Sequence, residues 1–186
     1  VSHLINLLSD ESARVRESTA TALGQIGDES AVEPLISLLQ DGDSRVAKKA
    51  SDVLLSIECE SFELLNSIVN AFYAGEDYKR AKEILEKQVN NYENVPEHDH
   101  ALWQSKIRLA KLYYSLNNCQ KAILLYEKLV LHFNDDIEIK NEFVHCLKEL
   151  KQDDKLLSHF SLWVENLSTD NHQWWKEIYE IVENYF

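Results

Sequence analysis

Apolar residues recur every three or four positions along most of the chain, and the recurrences come in paired blocks. Near the start Val1, Leu4, Ile5, Leu7 and Leu8 make one stripe, which returns 31 residues later as Val32, Leu35, Ile36, Leu38 and Leu39. The same shift lays Asp10 on Asp41, Arg14 on Arg45, Val15 on Val46, Leu23 on Leu54 and Ile26 on Ile57. Spacing of this kind buries one face of a helix, so each unit predicts two helices. The stripes break at residues 9–12 and 40–44, rich in Asp, Ser and Gly, which cap helices and make tight turns. The segment Ser30-Ala31-Val32-Glu33 has capping-box spacing, which predicts Ser30 as the cap, with Pro34 in the first turn that follows.

After Glu60 the period changes. A shift of 34 residues lays Leu109 on Phe143, Ala110 on Val144, Tyr113 on Leu147, Leu116 on Leu150, Ala122 on Leu156, Tyr126 on Phe160 and Leu129 on Trp163. An earlier unit carries Ile68, Val69, Phe72, Tyr78, Ala81 and Leu85, ends near Asn91, and is followed by extra residues over 93–100. Trp174, Ile178 and Ile181 predict one more helix over 171–186. The expected organisation is therefore 1–60 and 61–186. With only 4 Gly and 2 Pro the chain is poor in the turn residues a sheet needs. The expected fold is all-α, a superhelical solenoid in which each unit packs on its neighbours.

The segment "DESARVRESTATALGQIGDESAVEPLISLLQDGDSRVAKKASDVLLSIE" resembles the short HEAT-like repeats of the phycobilisome lyase type. Val15-Arg16, Ala22-Leu23-Gly24, Ile26-Gly27-Asp28 and Ala31-Val32 match that pattern, whereas Ala47 replaces the Arg and Ser51 replaces an Ala in the second unit. "AFYAGEDYKRAKEILEK" and "LAKLYYSLNNCQKAILLYEKLV" resemble tetratricopeptide repeats (TPR), whose period is 34 residues. Each has an aromatic near the end of one helix, a polar turn, and then an Ala, Ala81 or Ala122, that lets two helices approach; Leu156 replaces that Ala in the third unit. The resemblance implies a HEAT-like pair followed by about three TPR-like hairpins and a terminal helix.

In the TPR family the first helix of each unit lines a concave groove. That implies Glu63, Asn66, Asn70 and Tyr73 as groove residues of the first unit. Gln104, Ile107, Arg108, Lys111 and Tyr114 follow in the second, and Glu138, Asn141, His145 and Lys148 in the third. Asn70, Arg108, Lys111, Tyr114 and His145 are the expected partner contacts, hydrogen-bonding groups interleaved with an aromatic, and they form the one basic cluster expected to face a ligand. Some TPR domains clamp a terminal carboxylate with a Lys and two Asn; Asn66 stands at the Lys position and Glu138 at another basic one, which breaks the clamp.

Charge narrows the partners. The net charge is −13, with 11 acids and 5 bases in residues 1–60 and 21 acids and 14 bases in 61–186, so neither part is basic. Nucleic acid needs clustered Lys and Arg, and acidic lipid surfaces repel such a chain; neither is an expected partner. Three well-separated cysteines, Cys59, Cys119 and Cys146, form no CxxC pair and read as free buried thiols of a reducing, cytoplasmic compartment. No run reaches the ~18 apolar residues of a membrane span. The chain contains no Met and opens within an apolar stripe, which is expected of a piece of a longer or processed protein.

Catalytic chemistry has little to stand on. There is no GxSxG, HExxH or Gly-rich phosphate loop. His98-Asp99-His100 offers an HxH without a Cys neighbour, short of a zinc ligand set, so no metal or other cofactor is expected. Asp135-Asp136 and Asp153-Asp154 fall where helices start, and acids there suit the helix dipole. Of adjacent Trp174 and Trp175, about 100° apart on a helix, one can cap the last unit. The expected function is a non-enzymatic protein–protein interaction scaffold or regulatory module that binds a protein or peptide segment. The alternatives are a non-catalytic repeat domain of a multidomain signalling enzyme and, as the HEAT resemblance implies, a bilin-lyase-like chromophore-handling subunit.

Overall fold

The computed structural model describes residues 1–93, 95, 99–133 and 136–165. Within them the regular structure is helical, with no strand. The chain divides into two compact units, Val1–Leu102 and a second beginning at Trp103. The helix expected over 171–186, with Trp174 and Trp175, lies outside the described residues, as do His98 and Asp135.

The first unit contains α1 (Ser2–Leu7), α2 (Ala13–Ile26), α3 (Val32–Ser37), α4 (Ser44–Ser56), α5 (Phe62–Ala74) and α6 (Tyr78–Tyr92). Helix α2 packs on α4, α3 on both α4 and α5, and α5 on α6. The predicted stripes are the core: Leu23, Val32, Leu35, Val46, Leu54, Ile68, Val69, Ala81 and Leu85 are all fully buried. Helices α2 and α4 meet closely because Gly24 carries no side chain. A Cβ there would lie 2.8 and 2.9 Å from the two methyl carbons of Val53.

The capping box does not form. Asp28, not Ser30, caps the segment: its Oδ1 accepts the Ser30 N–H at 2.8 Å and starts a 3₁₀ turn, Glu29–Ala31. Helix α3 then begins at Val32 with no side-chain cap. The Asp, two residues before the orphan N–H, reaches it in an Asx-type turn and so precludes the longer Ser-x-x-Glu closure.

A polar fastening joins the two 31-residue units. The Arg16 guanidinium donates to both carboxylate oxygens of Asp41 at 2.7 Å, and to the Asp10 carbonyl at 2.8 Å. The fork matches a carboxylate in both hydrogen-bond directions. It holds the Asp41 carboxyl below the usual range. One period on, Ala47 stands where Arg16 stands, so this link is made once.

The second unit holds most of α7 (Asp99–Ser115), then α8 (Cys119–His132), α9 (Ile137–Glu149) and α10 (Asp153–Glu165). Helix α8 packs on α9, and α9 on α10. Trp103 of α7 stacks on His132 of α8 with ring centres 4.1 Å apart. Phe143 of α9 is buried edge-on against His159 (4.9 Å) and Trp163 (6.4 Å) of α10. Lys140 is 1% exposed with its ammonium 5.1 Å from the Trp163 ring centre, an aromatic face suited to a desolvated cation.

Three turns repeat one geometry. Glu76, Asn117 and Lys151 have φ of 57°, 54° and 54°, the left-handed conformation that ends a helix. The next residue reaches back each time: Asp77 N–H to the Phe72 carbonyl at 2.9 Å, Asn118 to Tyr113 at 2.8 Å, Gln152 to Leu147 at 2.9 Å. The residue that follows opens the next helix each time, with Asp77 and Asn118 capping theirs. Residues 117 and 151 are 34 apart, the period of the apolar stripes. The repeat is thus written in backbone conformation as well as in the core.

Candidate functional site

Arg108, Lys111 and Tyr114 follow one another at three-residue steps on α7, which sets them along one helix face. All three are half-buried. Helix α9 supplies the facing residues. The Tyr114 and His145 rings meet edge to face, 5.2 Å between centres and 86° between planes. Lys111 Nζ lies 2.8 Å from Glu138 Oε2. Four of the five expected contacts therefore belong to the second unit, and two pairs of helix-facing residues tie α7 to α9. Asn70 is exposed on α5 in the first unit.

The ion pair changes the electrostatic expectation. The sequence reading has these residues as a basic cluster, but Lys111 is matched by Glu138 and has Glu142 and Asp136 near it. Burial pulls the Lys111 ammonium down, yet the Glu138 bond and the charges of Glu142, Glu138 and Asp136 outweigh it, and the group is held above its ordinary value. The basicity expected of this face is largely cancelled at Lys111.

Glu142 adjoins this face and Tyr126 lies buried behind it, and neither was among the expected site residues. Tyr126 is fully buried on α8 and donates its hydroxyl to Glu142 Oε2 at 2.7 Å. Burial raises the Glu142 carboxyl, while the Tyr126 bond and Lys111 pull it the other way. Burial, then the Glu142 bond, pushes the Tyr126 phenol upward. A signal was present: Glu138, Glu142 and His145 stand at i, i+4 and i+7, one face of a helix, whereas the family register had suggested Asn141.

Beside the Tyr114–His145 pair opens a cleft of about 950 Å³. Tyr114, Ser115, Asn117, Asn118, Gln120, His145 and Glu149 give it its polar lining, to which buried Cys119 also contributes. The size falls within the ~300–1,000 Å³ of ligand pockets. Half of the lining, Leu116, Asn117, Asn118, Glu149 and Leu150, comes from the turn between α7 and α8 and the end of α9, positions that a groove-helix register does not reach.

Cys59, Cys119 and Cys146 are free and buried. Burial pushes the Cys59 thiol up to about 11, and burial with the neighbouring Cys119 raises Cys146. Raised thiols are poor nucleophiles. Among the described residues no group of three or more His, Cys, Asp or Glu could hold a metal, and His100 is exposed. Among them, too, no helix is long and apolar enough to cross a membrane.

Comparison with known proteins supports the HEAT-like opening. Residues 1–72 match the family model of HEAT repeats. No curated protein matches the chain. Among solved structures, it is similar to nearly identical TPR-like repeats from Podosopora anserina at 15% identity, over 99% of this chain and 98% of that one, with a TM-score of 0.43. An engineered protein is similar at 18% identity over 98% and 94%, with a TM-score of 0.42. The assembly chaperone of RpL4 is similar at 17% over 84% and 59%, with a TM-score of 0.38.

Proposed function

We propose that this chain is a non-enzymatic protein–protein interaction module whose second unit holds a protein segment against the α7 and α9 face. The observation that carries the reading is the half-buried Tyr114–His145 pair, 5.2 Å apart and beside an open cleft, on helices that repeat with a 34-residue period. A rigid aromatic flanked by groups that both donate and accept is the composition of an adaptable binding surface. Arg108 and Lys111 extend the contact along α7; Asn70, exposed on α5, is proposed as a separate partner contact of the first unit. The HEAT-like residues 1–60 and the TPR-like residues 61–186 are two repeat types serving one scaffold, within a larger protein or complex. Three free buried thiols favour a reducing compartment such as the cytoplasm.

The test is affinity capture from a lysate with quantitative mass spectrometry, followed by measured binding of the captured partner. Lys111→Ala with Tyr114→Ala should weaken that binding at least ~tenfold, as loss of an interface hot spot of ~2 kcal/mol does, with helicity unchanged. Unchanged affinity in the double variant would place the binding surface elsewhere.

A further inference from the structure

We infer that the cleft beside Tyr114 and His145 takes a basic peptide segment, one presenting an Arg or Lys side chain. The inference rests on the reading of this face as the partner surface and adds the partner's chemistry. Glu149 is the one charged side chain in the lining, and no Lys or Arg contributes to it. The nearest cation of the predicted site, Lys111, is held by Glu138 at 2.8 Å. An acidic segment entering here meets Glu149 and no lining cation. A guanidinium or ammonium meets the Glu149 carboxylate beside the Tyr114–His145 ring pair.

The rest of the lining suits a peptide main chain. Asn117, Asn118 and Gln120 are carboxamides, and a carboxamide can donate and accept at once, as a peptide group does. Asn118 spends its carbonyl oxygen on the Lys121 N–H at 3.2 Å and keeps its amide donors. The left-handed turn at Asn117 fixes these groups on a short backbone segment, so little order is lost when they bind. At longer range the net charge of −13 raises the local concentration of cationic segments.

The experiment is fluorescence anisotropy on the full chain with labelled peptides of one extended sequence carrying Arg, Gln or Glu at the same positions. The Arg peptide should bind at least ~tenfold tighter than the Glu peptide, with Gln between them. Glu149→Lys should remove that advantage. Glu58→Lys, an exposed site in the first unit with the same change of net charge, should leave it nearly intact. Equal losses from the two reversals would reduce the effect to overall charge and overturn the inference. So would preference for the Glu peptide, or no binding of any of the three. Tyr114→Ala separates the two readings. If it abolishes binding while Glu149→Lys does not, the surface stands and its charge selectivity falls; if it changes nothing, the surface itself falls.

Discussion

Tyr126→Phe is the sharpest probe of the packing behind the site, because it deletes one oxygen and leaves the ring volume in place. The hydroxyl is fully buried and its bond to Glu142 is 2.7 Å, short enough for a charge-assisted hydrogen bond. Hydrogen bonds to charged groups are worth about 1.5–3 kcal/mol, and a half-buried acceptor retains some contact with water, so the loss near pH 7.5 should be about 1.5–2 kcal/mol. Lys111 is still there to compensate Glu142, which keeps the value from the top of that range.

The loss depends on pH, and its sign is fixed. Burial raises the Glu142 carboxyl, so its charged form costs stability: that cost is absent below the unfolded value and fully present above the folded one. The Tyr126 bond offsets part of the cost by favouring the carboxylate. Removing it moves the folded value higher still, so the variant loses more above that value than below it. Urea unfolding followed by circular dichroism at about pH 7.5 and about pH 3.5 measures both limits. The lower pH lies below even the ordinary glutamate value of 4.5. There the bond joins two neutral groups and the difference should shrink to about 0.5–1 kcal/mol. A loss that is constant or larger in acid would refute the reasoning, because the worth of the bond would then not depend on the charge of Glu142.

Gly24→Ala should destabilise the first unit by about 1–3 kcal/mol, since the new methyl falls inside the Val53 side chain, and the companion change Val53→Ala should recover part of it in the same urea assay. Glu76→Gly should stabilise that unit by up to about 1 kcal/mol by relieving a left-handed non-glycine residue, read as a higher urea midpoint with unchanged slope. Asp136→Ala removes the acceptor of the Ile139 N–H at 3.1 Å and should cost about 1 kcal/mol, whereas Asp136→Asn should retain most of it.

The core was legible because burial leaves a periodic trace. Leu23, Leu54, Ala81, Leu85, Ala122 and Leu129, read as stripe residues, are all buried without exposure. The helix starts at Asp77, Asn118 and Asp136 were equally open to reading, since each is a short polar side chain ahead of an apolar run. What escaped was chemistry between helices. Nothing in the order of residues says that Lys111 meets Glu138, 27 positions away, and the pair turns an expected basic cluster into a balanced one. Ser30 misled for a related reason: its spacing to Glu33 is right for a cap, but Asp28 competes for the same orphan N–H over a shorter loop.

The proposed change of repeat type at Glu60 can be given a physical meaning from the first unit. Between the 31-residue units the fastening is polar: Arg16 bridges to Asp41 across 25 residues. The equivalent of Arg16 one period later is Ala47, and the equivalent of Asp41 is Phe72, so both partners of the next link are replaced by apolar residues together. Phe72 is 3% exposed on α5, and Ala47 is half-buried on α4. An Ala and a Phe cannot bond to each other as Arg and Asp do, but they can be buried side by side without an unsatisfied group. The switch of period therefore coincides with loss of the bidentate link, while single hydrogen bonds cross the same place: Arg80 donates to Asp52 Oδ1 at 3.3 Å, and the Glu29 carboxylate accepts the Ser61 N–H at 3.3 Å. Single hydrogen bonds from long side chains tolerate a change of helix spacing that a bidentate ion pair, with its fixed distances, does not. On this argument the two repeat types can share a continuous core because the residue pair that would have enforced the first period is missing at the place where the second begins.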